Sequence, residues 1–448
     1  MLKHFRLSPT HIIILSFLGV ILIGSVFLAL PFSSASGNAV PYLDALFTAT
    51  TATCVTGLVT LPTATTWSVF GQIVILLLIQ IGGLGLITIT TGITLVFHRK
   101  LKIKDSHLIQ EAFNLNNFSN LISFVKKVLL GTLIVECVGA LFYLPVFLPK
   151  FGAKGIWIAF FNAVSAFCNA GIDIIGLNSL CDYATNPLCN AVTCALIVLG
   201  GLGYIVWWDI LRVFKTGKRK YFQRLTLHSK IVLSATAILI FGGALLLFLF
   251  EYQNPLTLQN YSLFDKIQIA LFQSITTRTA GFASLPQENL TNASALVCML
   301  LMFIGGSPAG TAGGVKTVTF VALVATAFST LRNQSEVSLF GRSLSPQTVK
   351  KAVAVLLTSF SILFISTLCL CIAIDVPLID TLYETVSATA TVGLSRNVTP
   401  FLNEWGKCII IITMYAGRVG PISLAASFYV KTENTNAVQN PVEEISVG

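Results

Sequence analysis

The stretch "ATATVGLSRN", residues 388–397, ends a short, semi-apolar segment and holds Thr391-Val392-Gly393. Alone, such a tripeptide carries little weight. Its weight comes from three partners at fixed spacing. "DALFTATTATCVTGLVT" (44–60), "IAFFNAVSAFCNAGIDI" (158–174), "KIQIALFQSITTRTAGFAS" (266–284) and "TLYETVSATATVGLSRN" (381–397) are each rich in small residues and end on a glycine followed by an apolar residue. The glycines are Gly57, Gly171, Gly281 and Gly393, separated by 114, 110 and 112 residues. An aromatic residue leads each segment: Phe47, Phe161 and Tyr383 lie ten before the glycine, Phe272 nine before. Internal periodicity of this length marks a chain built from four structural repeats.

Working outward, long apolar stretches flank each segment, at about 12–30, 69–97, 124–148, 189–211, 229–250, 294–328, 350–373 and 407–429. Of 448 residues, 54% are hydrophobic and 10% charged, against about 25% charged in a soluble domain. Each stretch has the roughly 20 apolar residues that a membrane span needs. Each must be a helix, because lipid offers the backbone no hydrogen-bond partner. The first, Ile12 to Leu30, is expected to be kept as a helix, not cleaved as a signal peptide, because the repeat requires it. The expected fold is therefore an all-α polytopic membrane protein. It has four units of outer helix, re-entrant segment and inner helix: eight transmembrane helices and four re-entrant pore helices around a central pseudo-fourfold pore. The expected units are 1–98, 99–218, 219–335 (with a broken inner helix) and 336–429, followed by a tail at 430–448.

A net charge of +10 raises the possibility of nucleic acid. Its distribution points elsewhere. With both termini cytoplasmic, one side holds 20 of the 28 Lys and Arg and 7 of the 18 Asp and Glu. The opposite side is net negative. By the positive-inside rule the basic side is cytoplasmic, in a plasma-membrane protein, and the acidic outer face attracts cations. The ten cysteines form no CxxC pair and the five histidines are scattered. Neither a metal centre nor a disulfide framework is expected, nor any enzyme: no nucleophile–base set or carboxylate pair is present.

At about 12 helical residues plus a tail, the four segments are too short to cross a bilayer and read as re-entrant. Extended backbone at that depth survives where it lines a water-filled cavity. Four tails around one axis, Val55-Thr56-Gly57, Asn169-Ala170-Gly171, Thr279-Ala280-Gly281 and Thr391-Val392-Gly393, would offer a ring of carbonyls able to replace a cation's hydration shell. Glycine tolerates the backbone angles required. In the sixth apolar stretch, Ser307-Pro308-Ala309-Gly310-Thr311-Ala312-Gly313-Gly314 lacks helix propensity. It reads either as a mobile gate, with Gly305, Gly306, Ser307, Gly310, Thr311, Gly313, Gly314 and Lys316 as its residues, or as a packed kink. "QIGGLGLIT" (80–88) and "LGGLGYIV" (199–206) at the corresponding places read as helix-packing faces. Arg418 lies about 11 residues into the last inner helix, roughly 17 Å deep, where an arginine costs on the order of 3 kcal/mol. It is either a barrier below the ring or structural glue to Glu136 or a helix C-terminus. Arg278 reads as a brace behind the third tail. Asp173, two residues after Gly171, either aids cation entry, adds an outer Na⁺ site or caps a loop.

The tripeptide at 391–393 resembles the first half of the potassium-channel filter TVGYG. Together, "IQIGGLG", "AFCNAG", "TRTAGF", "TVGL", "GTAGGVK" and "GRVGP" are similar to the Trk/Ktr/HKT superfamily of potassium transporters, most of all the membrane subunit of bacterial Ktr systems. The resemblance covers essentially the whole chain. It implies a K⁺-conducting pore with filter glycines at Gly57, Gly171, Gly281 and Gly393, a gating loop around Gly305–Gly314 and a pore arginine at Arg418. It also implies a homodimer on a cytosolic ring of nucleotide-binding RCK subunits, with Na⁺ as an activating or coupled ion. The presence of glycine at all four positions favours K⁺, since serine at the first goes with sodium in that superfamily. A sodium-conducting relative and a scaffold with a vestigial pore are the alternatives. Membrane lipid is expected around the chain, and nucleic acid is not expected as a partner.

Overall fold

The computed structural model describes residues 9–85, 88, 121–216, 220–334 and 336–420. The basic cluster at 99–104, the far ends of the stretches 69–97 and 407–429, and the tail lie outside the described residues.

The described residues are mostly helical, with one two-residue strand pair, and the four-unit order follows the sequence. Unit one comprises α1 (Pro9–Ala29), α2 (Tyr42–Cys54) and α3 (Val69–Leu84). Unit two comprises α4 (Leu121–Phe151), α5 (Lys154–Cys168), α6 (Pro187–Leu202) and α7 (Tyr204–Lys215). Unit three comprises α8 (Leu227–Glu251), α9 (Leu263–Thr276), α10 (Asn292–Phe303) and α11 (Thr317–Leu331). Unit four comprises α12 (Pro346–Ala373), α13 (Leu378–Ala390) and α14 (Glu404–Val419). The outer helices α1, α4, α8 and α12 each contain a span long and apolar enough to cross a bilayer. Leu15, Ile23, Leu133, Leu141, Ile238, Phe241, Leu357 and Phe364 lie exposed along them, the outward apolar face that lipid requires.

The inner helices start at the polar caps seen in ordinary helices. The side chains of Ser68, Asn186, Thr291 and Asn403 accept from the backbone N–H three residues on, one such cap per unit. Each outer helix packs on its own re-entrant helix and its own inner helix. Each inner helix also packs on the next unit's re-entrant helix: α3 on α5, α6 on α9, α10 on α13, and α14 back on α2. This cyclic order is a pseudo-fourfold arrangement closed on itself. The core sits where the re-entrant helices meet. The leading aromatics Phe47, Phe161, Phe272 and Tyr383 are wholly buried there, each anchoring one short helix.

The stretch 189–211, expected as one continuous helix, is instead two. α6 and α7 meet at 96° on Gly203, whose φ is +86°. A side chain at Gly203 would overlap the carbonyl of Pro308, so the turn exists where the third unit's irregular segment wedges against it. The other inner helices stop at equivalent places. α3 ends at Gly85 (φ +81°), α14 at Gly420 (φ +95°), and α10 at Ile304, where the irregular segment begins. Gly82 and Gly200 do pack closely, as helix-packing faces should, against the carbonyls of Thr53 and Phe167.

Candidate functional site

Three of the four re-entrant helices end directly in a left-handed residue: Val55 (φ +56°), Asn169 (+59°) and Thr391 (+52°). In the third unit the left-handed residue is Thr279 (φ +64°), two before the glycine as in the others. For β-branched Val and Thr this conformation is an outlier, held only where surroundings over-determine it. The glycines follow, all at positive φ: Gly57 +101°, Gly171 +63°, Gly281 +81° and Gly393 +99°.

The glycines meet. A methyl group built on Gly57 would lie 2.5 Å from the carbonyl oxygen of Ala170, and one on Gly171 would lie 2.6 Å from that of Ala280. One on Gly281 would overlap the Val392 carbonyl, and one on Gly393 that of Thr56. Each glycine thus faces the carbonyl that precedes the next unit's glycine, and the fourth closes on the first. The side-chain oxygens of Thr53, Thr56, Thr279, Thr389 and Thr391, with Asn169 Oδ1, are buried around this ring without a hydrogen-bond partner. Buried polar atoms are ordinarily satisfied. Their concentration beside a carbonyl ring fits a place occupied by water or a cation.

Beneath the ring lies the irregular segment between α10 and α11. Its neck is pinned by a short parallel bridge of Ile304 with Val315; Gly305 N–H donates to Val315 O at 3.0 Å, and Val315 N–H to Phe303 O at 3.1 Å. Its tip reaches the second unit's bend. Ser307 N–H donates to Gly201 O (2.9 Å), Thr311 N–H to Gly200 O (3.2 Å), and Tyr204 N–H to Ala309 O (2.9 Å). The broken helix leaves these carbonyls unpaired, and the segment uses them. Thr311 Oγ1 donates to Phe167 O at 3.0 Å and accepts from Asn169 Nδ2 at 3.2 Å. A side chain on Gly313 would overlap Thr391 Oγ1. The segment therefore touches two of the four tails, directly below them.

Arg418 comes from the fourth unit. Its guanidinium donates to Thr311 O at 2.7 Å, to Gly82 O, and to Gly83 O at 3.5 Å. It ties the irregular segment to the C-terminal carbonyls of α3. Of the two partners weighed for it as glue, the helix C-terminus is the one met. Glu136 instead accepts from Gln80 Nε2 at 3.2 Å and from Cys168 Sγ at 3.8 Å. Lys316 Nζ donates to Ala312 O at 2.6 Å, so its charge stays within the segment. Arg278 Nη2 donates to Gly305 O at 3.3 Å, bracing the third tail against the neck. Asp173 Oδ1 accepts from Ile175 N–H at 3.2 Å, a turn-capping contact.

Two sets of contacts around the starts of the re-entrant helices escaped the sequence. Lys407 Nζ bonds Asp44 Oδ1 at 2.6 Å, linking fourth unit to first. Arg396 Nε bonds Asp380 Oδ1 at 2.6 Å, and its other nitrogens donate to the carbonyls of Gln287, Glu288 and Leu290. Each contact except Arg396–Asp380 joins residues more than a hundred positions apart, a separation that periodicity does not reveal.

Four re-entrant hairpins about one axis, enclosed by long apolar helices, define a polytopic membrane protein. Residues 7–440 match the family model TrkH, "Cation transport protein". The chain belongs to this family. It is 38% identical over 449 residues to the "Potassium/sodium uptake protein NtpJ" of Enterococcus hirae, covering 99% of this chain and 98% of that one. It is also 38% identical to the "Ktr system potassium uptake protein B" of Bacillus subtilis, over 100% and 98% of the two chains. The solved structure of the "Potassium Transporter TrkH" from Vibrio parahaemolyticus superposes with a TM-score of 0.76 at 17% identity, covering 95% of this chain and 86% of that one. At that identity the likeness establishes the fold.

Proposed function

We propose that this chain is the membrane subunit of a K⁺ uptake system. The ion crosses the ring formed by Val55-Thr56-Gly57, Asn169-Ala170-Gly171, Thr279-Ala280-Gly281 and Thr391-Val392-Gly393. The observation that carries this reading is the cyclic placement of each glycine against the carbonyl before the next. Such carbonyls replace water around a monovalent cation. A negative-inside potential drives entry, at about 2.3 kcal/mol per charge per 100 mV. The names of the relatives, with their potassium and potassium/sodium uptake, support K⁺ as the cargo and Na⁺ as an activating or coupled ion.

In this reading the segment around Gly305–Gly314, with Lys316 at its end, is the gate, and Arg418 is its latch. Its position directly under two tails supports this. A homodimer on a cytosolic nucleotide-binding RCK-type ring is the assembly expected by family resemblance, and the charge distribution puts both termini on the cytoplasmic side. Growth of a potassium-uptake-deficient bacterium at low K⁺, with the cytosolic subunit co-expressed, tests the proposal. Good expression without growth would favour a scaffold with a vestigial pore. Growth rescue together with Na⁺ influx equal to K⁺ influx in liposomes would favour the sodium-conducting alternative.

A further inference from the structure

Each re-entrant helix carries a hydroxyl one turn after its leading aromatic: Thr51 after Phe47, Ser165 after Phe161, Thr276 after Phe272 and Ser387 after Tyr383. All four are wholly buried. All four reach forward to the main chain of their own tail. Thr51 Oγ1 accepts from Gly57 N–H at 2.9 Å, and Ser387 Oγ accepts from Gly393 N–H at 3.0 Å. Ser165 Oγ donates to Ile172 O at 2.5 Å and accepts from Ile172 N–H at 3.1 Å. Thr276 Oγ1 donates to Phe282 O at 2.6 Å.

The one-residue difference in the third unit gives the pattern its meaning. There the aromatic and the hydroxyl each stand one position nearer the glycine than in the other units. The hydroxyl still bonds the tail's main chain, but at the residue after the glycine. The register slipped and the brace was kept. Opposed units differ as well. Units one and four hold the glycine itself, and units two and three hold its successor.

We propose that Thr51, Ser165, Thr276 and Ser387 are positioning residues that fix the width of the carbonyl ring and so set its discrimination between K⁺ and Na⁺. This rests on the ring being the ion's path. The tails hold left-handed Val and Thr, a conformation such residues leave unless restrained. The hydroxyls supply the restraint from behind, touching no ion. Without them the carbonyls can close on the smaller ion, so the loss falls on selectivity before it falls on transport.

The test compares Thr51→Val, Ser165→Ala, Thr276→Val and Ser387→Ala with the exchanges Thr51→Ser and Ser387→Thr. The protein is the full chain in liposomes, and the measurement is K⁺ influx in competition with Na⁺. Gly393→Ser serves as control. The hydroxyl-free variants are expected to lose K⁺ over Na⁺ preference by about tenfold, the scale of one buried hydrogen bond, and the Ser/Thr exchanges to restore it. A lower rate with an unchanged ion ratio would make the hydroxyls merely structural and overturn the proposal. So would loss of folded protein in all four hydroxyl-free variants with the exchanges folded. An unchanged ratio in these variants while Gly393→Ser shifts it would overturn the brace and leave the ring standing. An unchanged ratio in Gly393→Ser as well would remove the ring reading and the brace with it.

Discussion

Val55 and Thr391 at a helix end, and Thr279 three residues past one, hold a left-handed backbone, where glycine or asparagine is the usual choice. Left-handed geometry costs roughly 1–2 kcal/mol at a residue with a Cβ, so three β-branched examples at equivalent places mark a site built against local preference. The neighbouring glycines leave no room for change. Gly393→Ser puts a side chain onto the Thr56 carbonyl at φ +99°. It is predicted to lower K⁺ over Na⁺ preference by about tenfold, read as ion competition in a flux assay; an unchanged ratio would take Gly393 out of the path. Arg418→Ala removes the donors on Thr311 O and Gly82 O. It is predicted to raise K⁺ flux by about tenfold, measured in liposomes at fixed protein content. Loss of folded protein without any gain in flux would make the arginine structural glue alone. The glycines were legible in the sequence because their spacing repeats. The partners of Arg418 were not, because a guanidinium on carbonyls leaves no charge pattern to read.

Among the elements, the irregular segment was legible and its partner was not. Ser307-Pro308-Ala309-Gly310 cannot stay helical, and its interruption of an apolar stretch was plain. "GGLGYIV" at 200–206 reads as a helix-packing face, yet the chain bends at Gly203, where the carbonyl of Pro308 leaves no room for a side chain. That contact joins positions too far apart for a local pattern to show. The bend in turn exposes Gly200 O, Gly201 O and Tyr204 N–H to the segment, so the two breaks stabilise one another. Gly203→Ala adds a methyl group at φ +86° against the Pro308 carbonyl. The predicted result is a loss of about 1–2 kcal/mol and a looser segment. The first is measured by thermal unfolding in detergent, the second by faster cysteine modification at an introduced Ala309→Cys. Unchanged protection there would uncouple bend from segment.

For the whole molecule, closure is the issue: four units in one chain must bring the last against the first. α14 packs on α2, and Lys407–Asp44 ties them together, with side-chain exposures of 18% and 9%. Breaking such a largely buried pair leaves one charge uncompensated, at about 3–5 kcal/mol. Asp44→Asn is therefore predicted to lower thermal stability by an amount of that order, discounted for the part that water screens. The double variant Asp44→Lys with Lys407→Asp should recover part of it. Equal unfolding temperatures for wild type and Asp44→Asn would show that packing alone closes the ring. The sequence placed both residues on the outer side by charge distribution, and it could not pair positions 363 apart.

The central claim is that a monovalent cation sits on the axis of the glycine ring, held by main-chain oxygens. Anomalous diffraction from crystals grown in Rb⁺ or Tl⁺ tests it most directly. A peak on the axis within coordination distance of the carbonyls of Thr56, Ala170, Ala280 and Val392 is predicted. A well-ordered ring with the anomalous ion bound elsewhere, and none at that position, would contradict it.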